Sequence, residues 1–124
     1  MWTHWDGIDD RARAADAALH VGGRHYTHLR PHIEHLIRTH RLGEALDLLE
    51  TVIAGLIASS GLSGTSMPTW HISTATWLCR RRREWAREVA LYEAWEAAEH
   101  GPRRFMWAPR HAEARRHAEG QCDG

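Results

Sequence analysis

The 124-residue chain has no lysine and no asparagine, and Phe105 is its only phenylalanine. Residues with AT-rich codons are missing while Ala, Arg, Gly and Trp are plentiful. That bias points to a high-GC genome, such as that of an actinobacterium or one of its phages. All sixteen basic residues other than histidine are Arg, so the preference reads as mutational rather than as bidentate recognition chemistry. The formal net charge is zero. A chain without positive excess has no global attraction for phosphate backbones, and nucleic-acid binding would need a local basic patch.

Other absences narrow the reading further. Cysteine is scarce: Cys79 and Cys122 form no CxxC, and a single pair is weak ground for an oxidising compartment. Cys79 falls in a helical pattern and reads as a buried thiol. The start, Met-Trp-Thr-His-Trp-Asp, lacks the basic and apolar regions of a signal peptide. The longest apolar stretch, Leu46 to Ala58, is interrupted by Asp47, Glu50 and Thr51 and reads as too short and too polar for a membrane span. The expected location is therefore the cytoplasm. There is no sustained period-2 alternation and no Asn-Gly or Asp-Gly turn, hence no strand signal. GxSxG, HExxH, P-loop and GxGxxG motifs are all missing, so no enzyme and no cofactor is expected.

What is present describes a single globular domain, with 43 % hydrophobic and 26 % charged residues. Asp9 and Asp10 suit a helix N-terminus, and Ala12, Ala15 and Leu19 share one face before Gly22 and Gly23. A second helix is expected from a Thr27 N-cap, with Pro31 in its first turn and Leu29, Ile33, Leu36 and Ile37 at helical spacing. A short turn, His40 to Gly43, leads to the most hydrophobic helix, Glu44 to Ala58. Two apolar runs joined so tightly must pack antiparallel. Ser59 to Met67 reads as a loop and Pro68 as the opening residue of the next helix, with Ile72, Ala75, Thr76 and Cys79 inward. After a turn at Arg80 to Arg83, Trp85 to Glu99 is helical; Gly101-Pro102 breaks it, and Pro109 opens a short helix ending before Gly120. The expected divisions are 1–22 (extension and helix), 23–58 (first hairpin), 68–100 (second hairpin) and 101–124 (tail and short helix).

The two hairpins align at an offset of 43: Leu29 with Ile72, Ile33 with Thr76, Leu36 with Cys79, Leu42 with Trp85, Leu46 with Val89, and Leu49 with Tyr92. Both helices and the turn between them keep this register. The stretches "RLGEALDLLE" and "REWAREVALYE" resemble the point where the first helix of a tetratricopeptide (TPR) repeat turns into its second. Residues 23 to about 100 are similar to small TPR-like proteins. The pattern departs from the family in its 43-residue period, in Arg83 where Gly is usual, and in Glu88 where the first copy has Ala45. The resemblance implies an all-α fold of two antiparallel hairpins flanked by terminal helices. It also implies binding of a peptide or protein in the groove lined by the first helix of each pair. Two hairpins are few for a repeat array, so flanking helices serve as caps or the chain forms a homodimer.

The candidate contact residues are His28, His32 and His35, with Trp70 and Trp77 as anchors and Arg38 and Arg80 at the rim. These are imidazole, aromatic and guanidinium groups on helices whose other faces supply core, the chemistry enriched at interfaces. Two other classes compete with this reading. An i, i+4 histidine pair can chelate Zn²⁺, but here no closed ligand set accompanies it. The Arg80–Arg83 run is the only dense basic cluster and would be the phosphate-binding patch of a nucleic-acid-associated protein; at a helix C-terminus it also offsets the dipole. Trp85 and Trp95 sit at core-like spacing, while Trp2 and Trp5 lie outside any clear helix.

Overall fold

The computed structural model describes the backbone of residues 3–123 and the side chains of residues 10–121. It is all-α in character: 74 % helix, in six helices with one small two-stranded sheet among the described residues. The chain divides into two compact units, Met1–Pro68 and Thr69–Gly124.

The first unit runs α1 (Thr3–Ala18), β1 (His20–Val21), β2 (Arg24–His25), a 3-10 turn (Tyr26–His28), α2 (Arg30–Arg38) and α3 (Leu42–Ser63). α3 is its centre, with both α1 and α2 packed on it. Ala45, Leu46, Leu49, Val52, Ile53 and Leu56 form its buried stripe, spaced at the three- and four-residue steps of one helix face. Gly55 interrupts this helix at a cost of about 1 kcal/mol relative to Ala. The reason is steric: a Cβ there would overlap the Ala18 carbonyl oxygen, so the last turn of α1 lies directly on the α3 backbone.

Four boundaries in this unit differ from expectation. α1 begins at Thr3, not at Asp9 or Asp10. Gly22 and Gly23 do not simply stop a helix; with φ of 57° and 82° they turn a two-residue ribbon that sets His20 opposite His25. Strands of two residues are too short to show a period. α2 follows a 3-10 turn rather than starting at Thr27. α3 continues through Ser63 into the expected loop, because the Ser63 hydroxyl satisfies the Ser59 carbonyl at 2.9 Å and Gly64 caps the end at φ 74°. α3 has 22 residues and holds an 18-residue window of mean hydropathy 1.5, so by length and composition alone it could cross a bilayer; it is longer than the apolar stretch expected over Leu46 to Ala58.

The second unit is α4 (Trp70–Arg81), α5 (Trp85–Ala98) and α6 (Ala108–Asp123), with α4 and α6 both packed on α5. α4 starts two residues after Pro68, where the Thr69 carbonyl accepts the Ser73 N–H at 3.0 Å. α6 passes through Gly120 instead of stopping before it; Gln121 Nε2 donates to the Arg83 carbonyl at 3.1 Å and ties that end to the α4–α5 turn.

The offset of 43 reappears in backbone geometry. His40 and Arg83 are the only described non-glycine residues with positive φ, at 62° and 57°. Around His40, the Arg41 N–H reaches the Leu36 carbonyl at 2.8 Å and the His40 N–H reaches Ile37 at 3.1 Å. Around Arg83, the Glu84 N–H reaches Cys79 at 2.9 Å and the Arg83 N–H reaches Arg80 at 3.1 Å. Both are Schellman caps with a residue other than glycine at the left-handed position, where a Cβ is strained. His40→Gly and Arg83→Gly should each therefore raise unfolding stability by about 0.5–1 kcal/mol in urea titrations, the relieved strain exceeding glycine's chain-entropy cost. A loss of stability in both would mean that these turns are not built this way.

Candidate partner-binding faces and the buried network

The first unit places the histidines of α2 in solvent. His28, His32, His35 and Arg38 are all exposed. His32, His35 and Arg38 make no side-chain hydrogen bond or ion pair among the described residues, while Arg30 is held by Glu34 at 3.2 Å. The ribbon adds a neighbour that sequence spacing missed. Because Gly22-Gly23 folds back, the His20 and His25 rings lie 5.3 Å apart, and His28 is 6.3 Å from His25. His25 is committed through Nδ1 to the Thr27 hydroxyl at 2.8 Å, and His20 through Nδ1 to the Asp16 carbonyl at 2.9 Å. No group of three or more His, Cys, Asp or Glu side chains among the described residues is arranged to hold a metal ion.

In the second unit the two anchors differ. Trp77 is 43 % exposed, with the Arg81 guanidinium 5.1 Å over its ring. Trp70 is half-buried and meets the buried His71 ring edge-on at 4.9 Å. Trp95 is core, its Nε1 donating to the Arg103 carbonyl at 3.1 Å. Trp85 is half-buried and stacks on His117 at 4.1 Å. Trp2 lies outside the described residues, as does the side chain of Trp5.

Arg80 is not a rim residue. Its Nε donates to Glu88 Oε2 at 2.7 Å, Nη1 to Glu113 Oε1 at 3.0 Å and Nη2 to the Arg110 carbonyl at 3.1 Å. Glu88 is fully buried, and Tyr92 Oη donates to the same Oε2 at 2.7 Å. Burial works against the Arg80 charge, but the hydrogen bond and charge of Glu88, with Glu113 behind, outweigh it and raise its pKa. Burial, and then the bond to Glu88, push the Tyr92 phenol up to about 12. A second buried link lies on the same helices: His111 Nδ1 is 2.8 Å from Glu96 Oε2, and Arg115 Nη2 is 2.9 Å from His111 Nε2. Arginine only donates, so Nε2 accepts and the Nδ1 proton goes to Glu96.

The basic run is correspondingly depleted. Arg80 is taken by Glu88 and Glu113, and Arg82 by Glu84 at 3.2 Å; that hydrogen bond and charge hold the Glu84 carboxyl below its usual range against the opposing effect of partial burial. Within the run, only Arg81 and Arg83 keep guanidinium groups without a carboxylate among the described residues. No family model, curated protein or solved structure matches the chain.

The network makes two predictions. Arg80→Ala should cost about 3–5 kcal/mol in denaturant titrations because it leaves Glu88 buried and uncompensated, whereas Arg81→Ala should change stability by less than about 0.5 kcal/mol. Equal effects would refute the distinction. The Tyr92 phenol is held protonated in the fold, so its contribution is complete below pH 10 and is lost as pH rises from 10 to about 12. Stability measured across that window should fall in the wild type and fall less in Tyr92→Phe; parallel curves would show that Tyr92 titrates normally.

Proposed function

We propose that the chain is a non-catalytic protein-binding module and that the outward face of α2 is its principal contact surface, with Trp77 on α4 as a second contact. The observation that carries this reading is a contrast between the helices. α2 carries His32, His35 and Arg38 in solvent with no hydrogen bond or ion pair among the described residues, although the same helix pairs Arg30 with Glu34. Imidazole and guanidinium groups left uncommitted beside a rigid apolar core lose little on binding a partner, because the scaffold is already ordered. Trp77 offers the aromatic surface typical of an interface anchor, and Arg81 lies across it. The TPR resemblance of residues 23 to about 100 agrees with a peptide or protein as the partner, engaged through the first helix of each hairpin. The expectation of cytoplasmic action and the possibility of a homodimer belong to the same reading.

The test uses a photo-crosslinking amino acid at position 32 or 77 of the full chain in its native host, with position 47 on α3 as an exposed control. A discrete adduct at 32 or 77 and none at 47 is expected. His32→Ala and Trp77→Ala should weaken that complex while the melting temperature stays unchanged, and moderate salt should be tolerated. If binding falls steeply with salt and is lost in Arg81→Ala/Arg83→Ala while both other variants bind normally, the partner is a polyanion and the α2 reading is wrong.

A further inference from the structure

The first unit contains an open cavity of about 270 Å³, near the lower end of the range for small-molecule sites, lined by α1, Tyr26, the last turns of α3 and residues 65–68. Its floor is apolar: Ala15, Leu56 and Met67 line it and are each at least nine-tenths buried. Its polar groups are unequal. The Ser60 hydroxyl is committed to the Thr65 carbonyl at 2.6 Å, and that of Ser63 to the Ser59 carbonyl at 2.9 Å. Ser59 also lines the cavity, is 7 % exposed, and its hydroxyl makes no hydrogen bond among the described residues. The Ser59 hydroxyl is thereby left free to accept from a ligand donor.

The charge of the lining is one-sided. Asp16 is the single lining residue charged at neutral pH, and no Arg or His lines the cavity. The Asp16 carboxylate is exposed and has no ion pair among the described residues; its backbone carbonyl is used by the Leu19 N–H and by His20. An anion would meet no counter-charge here, and a purely apolar ligand would gain nothing from the Asp16 carboxylate.

We propose that this cavity binds an organic cation, an alkylammonium or alkylguanidinium group, whose head meets Asp16 and the Ser59 hydroxyl and whose stem lies on Ala15, Leu56 and Met67. The same chemistry is offered by a free amine or guanidine and by the Lys or Arg side chain of a peptide. No residue of α2 lines the site, so the proposal stands or falls independently of the reading above.

Amide and methyl NMR shifts of the full chain, titrated with n-butylguanidinium, n-butylammonium, n-butanol and butyrate, test it. Saturable shifts confined to residues 15–19, 26 and 56–68 are expected from the two cations. Neither neutral nor anionic analogue should saturate up to roughly 20 mM, the weak end for fragments of this size. Asp16→Asn, at an exposed position that should not disturb folding, should weaken cation binding by about tenfold or more. Ser59→Ala should weaken it by a smaller factor with the melting temperature retained. A Gly-Gly-Arg-Gly-Gly peptide separates the sources. Tighter binding than butylguanidinium at the same residues assigns the cavity to a peptide side chain; binding by the free cations alone assigns it to a small amine or guanidine, and either result supports the proposal. Butanol or butyrate binding as well as the cations, unchanged affinity in Asp16→Asn, or no saturable shift with any cation would overturn it.

Discussion

The second unit is organised around the Glu88 carboxylate, fully buried at the position where the repeat's first copy has Ala45. A carboxylate there is tolerable only if a cation and hydrogen bonds replace water. Arg80, in the last turn of α4, supplies the cation, and Tyr92, one turn further along α5, supplies a second donor to the same oxygen. The remaining guanidinium nitrogens of Arg80 then reach Glu113 and the Arg110 carbonyl on α6. One buried charge thus brings three helices into register. The third helix is required by this chemistry, since two helices alone would leave half of the guanidinium in search of acceptors.

The two hairpins show how far a repeat can hold its backbone while exchanging its interior. Buried positions correspond at the offset of 43: Leu29 with Ile72, Ile33 with Thr76, Leu36 with Cys79, Leu49 with Tyr92, Val52 with Trp95 and Leu56 with Glu99. The first copy is apolar at each of these positions. The second holds Thr76, Tyr92 and Glu99, and Thr76 returns its hydroxyl to the Ile72 carbonyl at 2.8 Å. Both copies keep the same left-handed cap, at His40 and Arg83, although neither has the glycine that such a cap favours. The two copies thus share cap hydrogen bonds and burial at matched positions. The chemical identity of the buried groups is free to vary if their partners vary with them.

That division explains what the sequence made legible. α5 and the central part of α3 were readable because apolar residues recur at helical steps, and the turn at His40 because two such runs lie so close together. The 43-residue register was readable for the same reason. The β1–β2 ribbon was not, because two residues carry no period; Gly22-Gly23 is itself a hairpin signal, and it alone could have placed His20 beside His25. The extension of α3 through Ser63 was hidden because serine competes with the helix backbone in isolation and joins it only when its hydroxyl finds the preceding turn. Arg80 was misassigned because a cation at a helix C-terminus reads as solvated. The mismatch between Ala45 and Glu88 was the clue: a glutamate in a small-residue core position needs a counter-charge, and Arg80 lies two turns earlier in the chain.

The same ion pairing separates the roles of the two first helices. α4 spends Arg80 inward and stacks Arg81 on Trp77, so its exposed surface is one aromatic ring with one cation across it. α2 spends none of His32, His35 or Arg38, and its core is completed by Ile33 and Leu36 without any polar contribution. An apolar interior thus leaves the polar groups of α2 available to solvent, whereas a polar interior draws on those of α4. On the proposed reading, specificity would rest mainly with α2 and its imidazoles, while α4 contributes contact area through Trp77. In the run that first suggested a polyanion, only Arg81 and Arg83 are uncommitted to carboxylates among the described residues.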